Sequence, residues 1–142
     1  MLMGRREICA RLPHAGAMCL LDGVLSWDAT RIVCTAGTHR AADNPLRRDG
    51  RLHTICGIEY AAQAMALHAA LAGGGHSETH AGYLASVRDT RCSVAFLDAI
   101  EGDLLVEVEQ FTREEARAIY RFVLSSAQSE LLSGRAAVVL NP

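Results

Sequence analysis

A chain of 142 residues is one domain's worth of polypeptide, and with 50% hydrophobic residues, 21% charged residues and only 3 Pro it is built to pack rather than to stay disordered. The net charge of -2, with acids and bases interleaved, argues against a polyanion binder. All 14 basic residues are Arg, so Schiff-base and P-loop lysine chemistry are excluded.

The N-terminal Met-Leu-Met-Gly-Arg-Arg has no apolar run behind it, because Glu7 and Arg11 interrupt it. No uninterrupted apolar stretch approaches the roughly 18 residues of a membrane span, and a cytoplasmic protein is expected. A short helix is predicted over 8–12, broken at Pro13. Residues 18–25 and 31–36 read as the first two strands, joined by a turn-like 26–30. The polar stretch 38–51 holds Asn44-Pro45 and Asp49-Gly50, both loop punctuation. From 54 to 71 there is no Pro and Ala recurs throughout, which predicts a long helix with Thr54 as N-cap and Gly73-Gly74-Gly75 as its stop. It is apolar or small around nearly its whole circumference, so it is expected to be buried. Residues 82–96, 104–111, 118–126 and 131–140 read as strands. The 104–111 segment alternates apolar and acidic residues, as a half-exposed antiparallel strand requires. The order β-β-α-β-β-β-β gives one α+β domain over 1–142, an antiparallel sheet of about six strands curling around the helix.

Cys9, Cys19, Cys34, Cys56 and Cys92 are scattered without C-x-x-C spacing, so reduced, mostly buried thiols are expected and zinc is not. His76 and His80 stand four apart in a Gly-rich loop without a companion acid, which is no metal site, and His14 is uninformative alone. No phosphate-binding loop follows a strand, and no G-x-S-x-G elbow is present. Glu59 is the informative residue, an acid flanked by Ile58, Tyr60, Ala62 and Ala66. Desolvated there, it would hold a proton to donate near neutrality. The alternative is a carboxylate facing water at the helix N-terminus. Gln63, one turn on, either orients Glu59 or is an exposed helix former. His53 is the nearest base in sequence, or a loop bystander. The chemistry these residues suit is proton transfer without a cofactor.

Four motifs in order resemble bacterial β-hydroxyacyl-acyl-carrier-protein dehydratases. Leu12-Pro13-His14 with Met18-Cys19-Leu20-Leu21-Asp22 resembles their opening, and Glu59-Tyr60-Ala61-Ala62-Gln63-Ala64 their central-helix acid segment. Gly82 to Arg88 resembles the strand after the helix, and Gly102-Asp103-Leu104 the start of a later one. The loop from Pro45 to Gly50 makes the resemblance closest to the branch found in aryl-polyene gene clusters. The resemblance implies the hotdog fold and a dimer joined sheet edge to edge, either a homodimer or a heterodimer with a related hotdog subunit, alone or within a higher oligomer. It implies active sites at that interface and an acyl thioester substrate on acyl-carrier protein or coenzyme A. The implied reaction is elimination of water from a 3-hydroxyacyl thioester, in fatty-acid or polyene-type biosynthesis: a histidine takes the C2 proton, the helix acid protonates the leaving hydroxyl, and a backbone N–H polarises the carbonyl.

Carried over by position, Glu59 is the acid, Gln63 the following glutamine, and Thr54 stands at the N–H donor's place. Asn44 stands where the family histidine is expected, and asparagine cannot be a general base. Three readings follow: a dehydratase using His53 as base, a catalytically weak acyl-pantetheine-binding partner of a related subunit, or a hotdog thioesterase. Arg47, Arg48, Arg51 and Arg88 form a polar rim suited to an acidic carrier protein or the pantetheine phosphate, or else solvated surface charge.

Overall fold

A computed structural model describes residues 1–12, 18–73, 83–114 and 116–139. The chain runs β1 (Met3–Gly4), α1 (Arg5–Arg11), β2 (Gly23–Trp27), β3 (Arg31–Ala36), α2 (Gly57–Ala72), β4 (Tyr83–Cys92), β5 (Leu104–Glu114), β6 (Arg117–Ser126) and β7 (Ser129–Val139). All strand pairs are antiparallel, and one sheet of seven strands runs in the order β1-β2-β3-β5-β6-β7-β4. Helix α2 packs against β3, β5 and β6, and the sheet curls around it. The expected architecture of a sheet around one helix holds, with one strand more than expected, the two-residue β1.

The reasons lie in the alternation. Along β5, Leu104, Val106 and Val108 face the core while Glu107 and Glu109 face out, and along β6 Tyr120, Phe122 and Leu124 face in. Tyr60, Ala61, Ala64, Met65 and Leu67 of α2 fill the concave side. Gly57 is what lets the helix come so close. A Cβ there would lie 2.7 Å from Leu132 Cδ2 and 2.8 Å from Leu124 Cδ2, so any larger residue forces those leucine side chains to shift. Thr54–Ala72 is long and apolar enough to cross a membrane by composition, at a mean hydropathy of 1.2, but half of that stretch is buried as the core helix.

Some expectations shift. The strand expected over 18–25, β2, starts at Gly23, because Leu20 presents its N–H to a side chain of α2 rather than to a neighbouring strand. Strand β4 stops at Cys92, one ladder bond (Ser93 N–H to the Leu131 carbonyl) short of a bend. The long helix opens with a 3-10 turn over Thr54–Cys56, and Thr54 makes no side-chain cap. The thiols are not all reduced: Cys9 on α1 is disulfide-bonded to Cys19. A separation of 10 residues gave no motif, but α1 folds back beside the entry to β2 and brings the two sulfurs together. Cys34, Cys56 and Cys92 remain free, and burial pushes the Cys34 thiol up to about 12.

Candidate active site

The start of α2 is held by a short antiparallel splice. Leu97 N–H donates to the Leu52 carbonyl, Thr54 N–H donates to the Ala95 carbonyl, and His53 forms an isolated bridge with Phe96. Asp98 fastens the same splice, accepting Leu52 N–H at 2.7 Å and Arg51 Nε at 2.8 Å. Phe96 takes the Arg51 guanidinium 3.8 Å from its ring centre and the exposed His53 ring at 4.9 Å.

Thr54 is therefore not the backbone donor expected of it. Its N–H is engaged by Ala95, while its buried Oγ1 has no partner among the described residues. The next N–H, that of Ile55, lies in the first helical turn, where no preceding turn supplies a carbonyl. Nothing in the sequence distinguished Ile55 from its apolar neighbours, yet its side chain is 50% exposed.

Glu59 is exposed, so of its two readings the carboxylate facing water is the one that holds within one protomer. It stands at the head of a stripe of α2 that the sheet leaves partly uncovered, followed by the half-buried Ala62, Ala66 and Ala70. Between Gly57 and Ala72 it is the sole Asp, Glu, Lys or Arg. Cys56 lies beside it, with Sγ 3.8 Å from the Leu46 carbonyl, and burial followed by the Glu59 charge holds that thiol up.

Gln63 neither orients Glu59 nor faces water. It is buried, with Oε1 accepting Leu20 N–H at 2.9 Å and Nε2 donating to the Met18 carbonyl. Its amide pairs with the backbone as a neighbouring strand would, stitching 18–20 to α2. Asn44 is likewise buried and fully engaged. Its Nδ2 donates to the Thr38 carbonyl at 2.9 Å and to Tyr60 Oη at 3.0 Å, and its Oδ1 accepts Leu46 N–H at 2.9 Å. Thr38 Oγ1 donates to the Leu20 carbonyl, which leaves it to accept the Tyr60 hydroxyl proton at 2.9 Å. Asn44, Tyr60, Thr38, Leu20 and Gln63 thus form one continuous hydrogen-bonded chain under the site. Tyr60 is its hub, and burial, ahead of any other influence, pushes that phenol up.

His39 and His68, two of the six histidines, are buried as structural groups. His68 Nε2–H donates to the Asp28 carbonyl at 3.0 Å, so its Nδ1 accepts the Tyr120 hydroxyl at 2.9 Å. His39 Nε2–H donates to the Ile100 carbonyl at 3.0 Å. Burial holds both imidazoles below the usual histidine range. His14, His76 and His80 lie outside the described residues. Among the described residues no three His, Cys, Asp or Glu side chains could hold a metal ion. Of the expected rim, Arg47 is engaged by the carbonyls of Ala41, Gly50 and His39, and Arg51 by Asp98 and Phe96. Arg48 and Arg88 have no ion pair among the described residues. A depression of about 210 Å³ on the outer sheet face, lined by Arg31, Glu107, Glu109 and Arg121 among others, includes neither Glu59 nor His53.

One antiparallel sheet wrapped around a single long helix is the hotdog architecture, and solved hotdog proteins superpose on it. A chain of the dehydratase heterocomplex ApeI:P from Xenorhabdus doucetiae matches with a TM-score of 0.82 at 22% identity, over 95% of this chain and 91% of that one. A thioesterase variant of Pseudomonas aeruginosa matches at 0.69 and 11% identity, over 100% and 96% of the two chains. Zebra fish thioesterase superfamily member 2 matches at 0.68 and 15%, over 97% and 95%. No curated protein matches the sequence significantly. The chain belongs to the ApeP-like family, described as ApeP dehydratase, whose match spans residues 6–142.

Proposed function

We propose that this chain supplies Glu59 as the general acid for dehydrating a 3-hydroxyacyl thioester, carried on acyl-carrier protein, to the 2-enoyl thioester. The site is completed by a second hotdog subunit. One observation carries the reading: the only Asp, Glu, Lys or Arg of α2 stands on the partly uncovered stripe of a largely apolar core helix. A second subunit laid over that stripe would remove Glu59 from water and keep its proton available. In the reaction a base takes the C2 proton, the C3–O bond breaks, and Glu59 protonates the departing hydroxyl so that it leaves as water. The Ile55 N–H is the backbone group suited to polarise the thioester carbonyl. The small Ala62, Ala66 and Ala70 leave room for an acyl chain along the helix.

His53 is the base this chain can offer. About six residues of helical rise, roughly 10 Å, separate it from Glu59, too far for a direct hydrogen bond but compatible with groups flanking a substrate. A second reading draws on Asn44, whose amide is wholly engaged where the family histidine is expected: the base then comes from the other subunit. The heterocomplex named for the Xenorhabdus relative fits that arrangement.

Glu59→Gln is expected to lower enoyl formation by a factor of about 10²–10⁴ with the fold intact. Unchanged turnover would remove Glu59 from the mechanism. His53→Ala should lower the rate of the chain alone on the order of 10²-fold or more. An unaffected rate in a mixture with a related hotdog subunit assigns the base to that subunit. Release of free thiol without enoyl absorbance would identify a thioesterase instead.

A further inference from the structure

The strand register lines up five charged residues in a single row across the outer face of the sheet. Arg31 on β3 is directly opposite Glu109 on β5, Glu109 opposite Arg121 on β6, Arg121 opposite Arg135 on β7, and Arg135 opposite Arg88 on β4. Glu109 and all four arginines are exposed. Like charges directly opposite on neighbouring strands repel, yet Arg121, Arg135 and Arg88 occupy three consecutive strands. Among the described residues none of the three is ion-paired, and Arg31 is already held by Glu107 at 2.7 Å. The only aromatic contact of the run is Arg135, whose guanidinium lies 5.8 Å from the Phe111 ring centre, and Phe111 is itself 47% exposed.

We propose that this row is a docking surface for an acidic α-helix of a partner protein. The inference goes beyond the thioester chemistry and does not rest on it. Spacing selects the partner. Strands lie ~4.8 Å apart, so the three unpaired arginines span roughly 10 Å. Carboxylates at i, i+4 and i+7 of a helix span about 10.5 Å along one face, so a helix laid across the strands sets one acid over each arginine. Such a helix neutralises three charges that make no ion pair among the described residues, and Phe111 gives it an apolar neighbour. A long polyanion is disfavoured, because Glu109 interrupts the row between Arg31 and Arg121 and the whole chain is net acidic at -2. Pairing of protomers through the free edge of β4 uses backbone groups in the plane of the sheet, so it leaves this face outward.

The test uses the intact protein and two fluorescent helical peptides of equal composition, one with Glu at i, i+4 and i+7 on one face, the other with the same Glu spread around the helix. The one-faced peptide is expected to bind at least tenfold more tightly than its isomer, and to weaken as salt rises. Arg135→Glu should abolish that preference while raising the melting temperature, since it replaces two repulsive cross-strand neighbours with attractive ones. The double variant Arg121→Glu, Arg135→Glu should prefer a peptide patterned with Lys instead. Equal binding of the two Glu peptides, an affinity unmoved by Arg135→Glu, or tighter capture of a single-stranded oligonucleotide would overturn the proposal.

Discussion

Replacing Asn44 with the histidine that its place in the family would suggest is expected to damage the fold rather than install a base. Asn44 makes three hydrogen bonds from a buried position, donating two and accepting one. A neutral imidazole has one donor and one acceptor, in a different geometry, so at least one partner is orphaned. Losing one to two bonds at about 1 kcal/mol each, and forcing a larger ring into a filled site for a further 1–3 kcal/mol, gives roughly 2–5 kcal/mol. That is a large share of the ~5–15 kcal/mol of a typical domain and corresponds to a Tm lower by roughly 6–15 °C. Urea unfolding of Asn44→His should show the midpoint shift with the slope unchanged. Tyr60→Phe, which removes the hub hydroxyl but keeps the volume, should cost less, and the double variant should be less than additive because the two groups share a bond. An Asn44→His protein as stable as the parent, turning over 3-hydroxyacyl thioester faster, would refute the pin and make residue 44 a vacant catalytic position.

Gln63→Ala should destabilise by roughly 2–5 kcal/mol, because it leaves the Leu20 N–H and the Met18 carbonyl without a partner; Gln63→Glu, which sets a buried carboxylate against the Met18 carbonyl, should cost at least as much at neutral pH, as chemical denaturation would show. Acid should weaken the fold well before the carboxylates titrate. Burial holds His39 and His68 below the usual histidine range, so the unfolded chain binds more protons. Their contribution is complete above about pH 6.5 and is lost as pH falls below it. Urea midpoints at pH 7.5, 6 and 5 should therefore decline, and His68→Gln should flatten part of the decline.

The elements written in local pattern were legible in the sequence, and those made by distant partners were not. The alternation of 104–111 is a one-sided environment repeated at every second residue, and α2 declares itself through its alanines. Glu59 stood out because an acid in that company is costly unless it is used. Pattern alone left its burial and its exposure both open, because which face of so apolar a helix the sheet leaves uncovered depends on how the sheet curls. Gln63 finds its partners 43 and 45 residues away, and Thr54 its partner in Ala95, so nothing at i±4 could announce either. The arginine row is of the same kind: Arg88, Arg121 and Arg135 have no common spacing, and only the register of β6, β7 and β4 aligns them.

The bridge between Cys9 and Cys19 reaches further than its own two residues. Leu20, adjacent to Cys19, is held by Gln63, so α1 is joined to the central helix through one covalent link and one amide. Any single break of the peptide chain between these cysteines leaves both pieces in one molecule, and the severed N-terminal segment departs only once a thiol reagent opens the link.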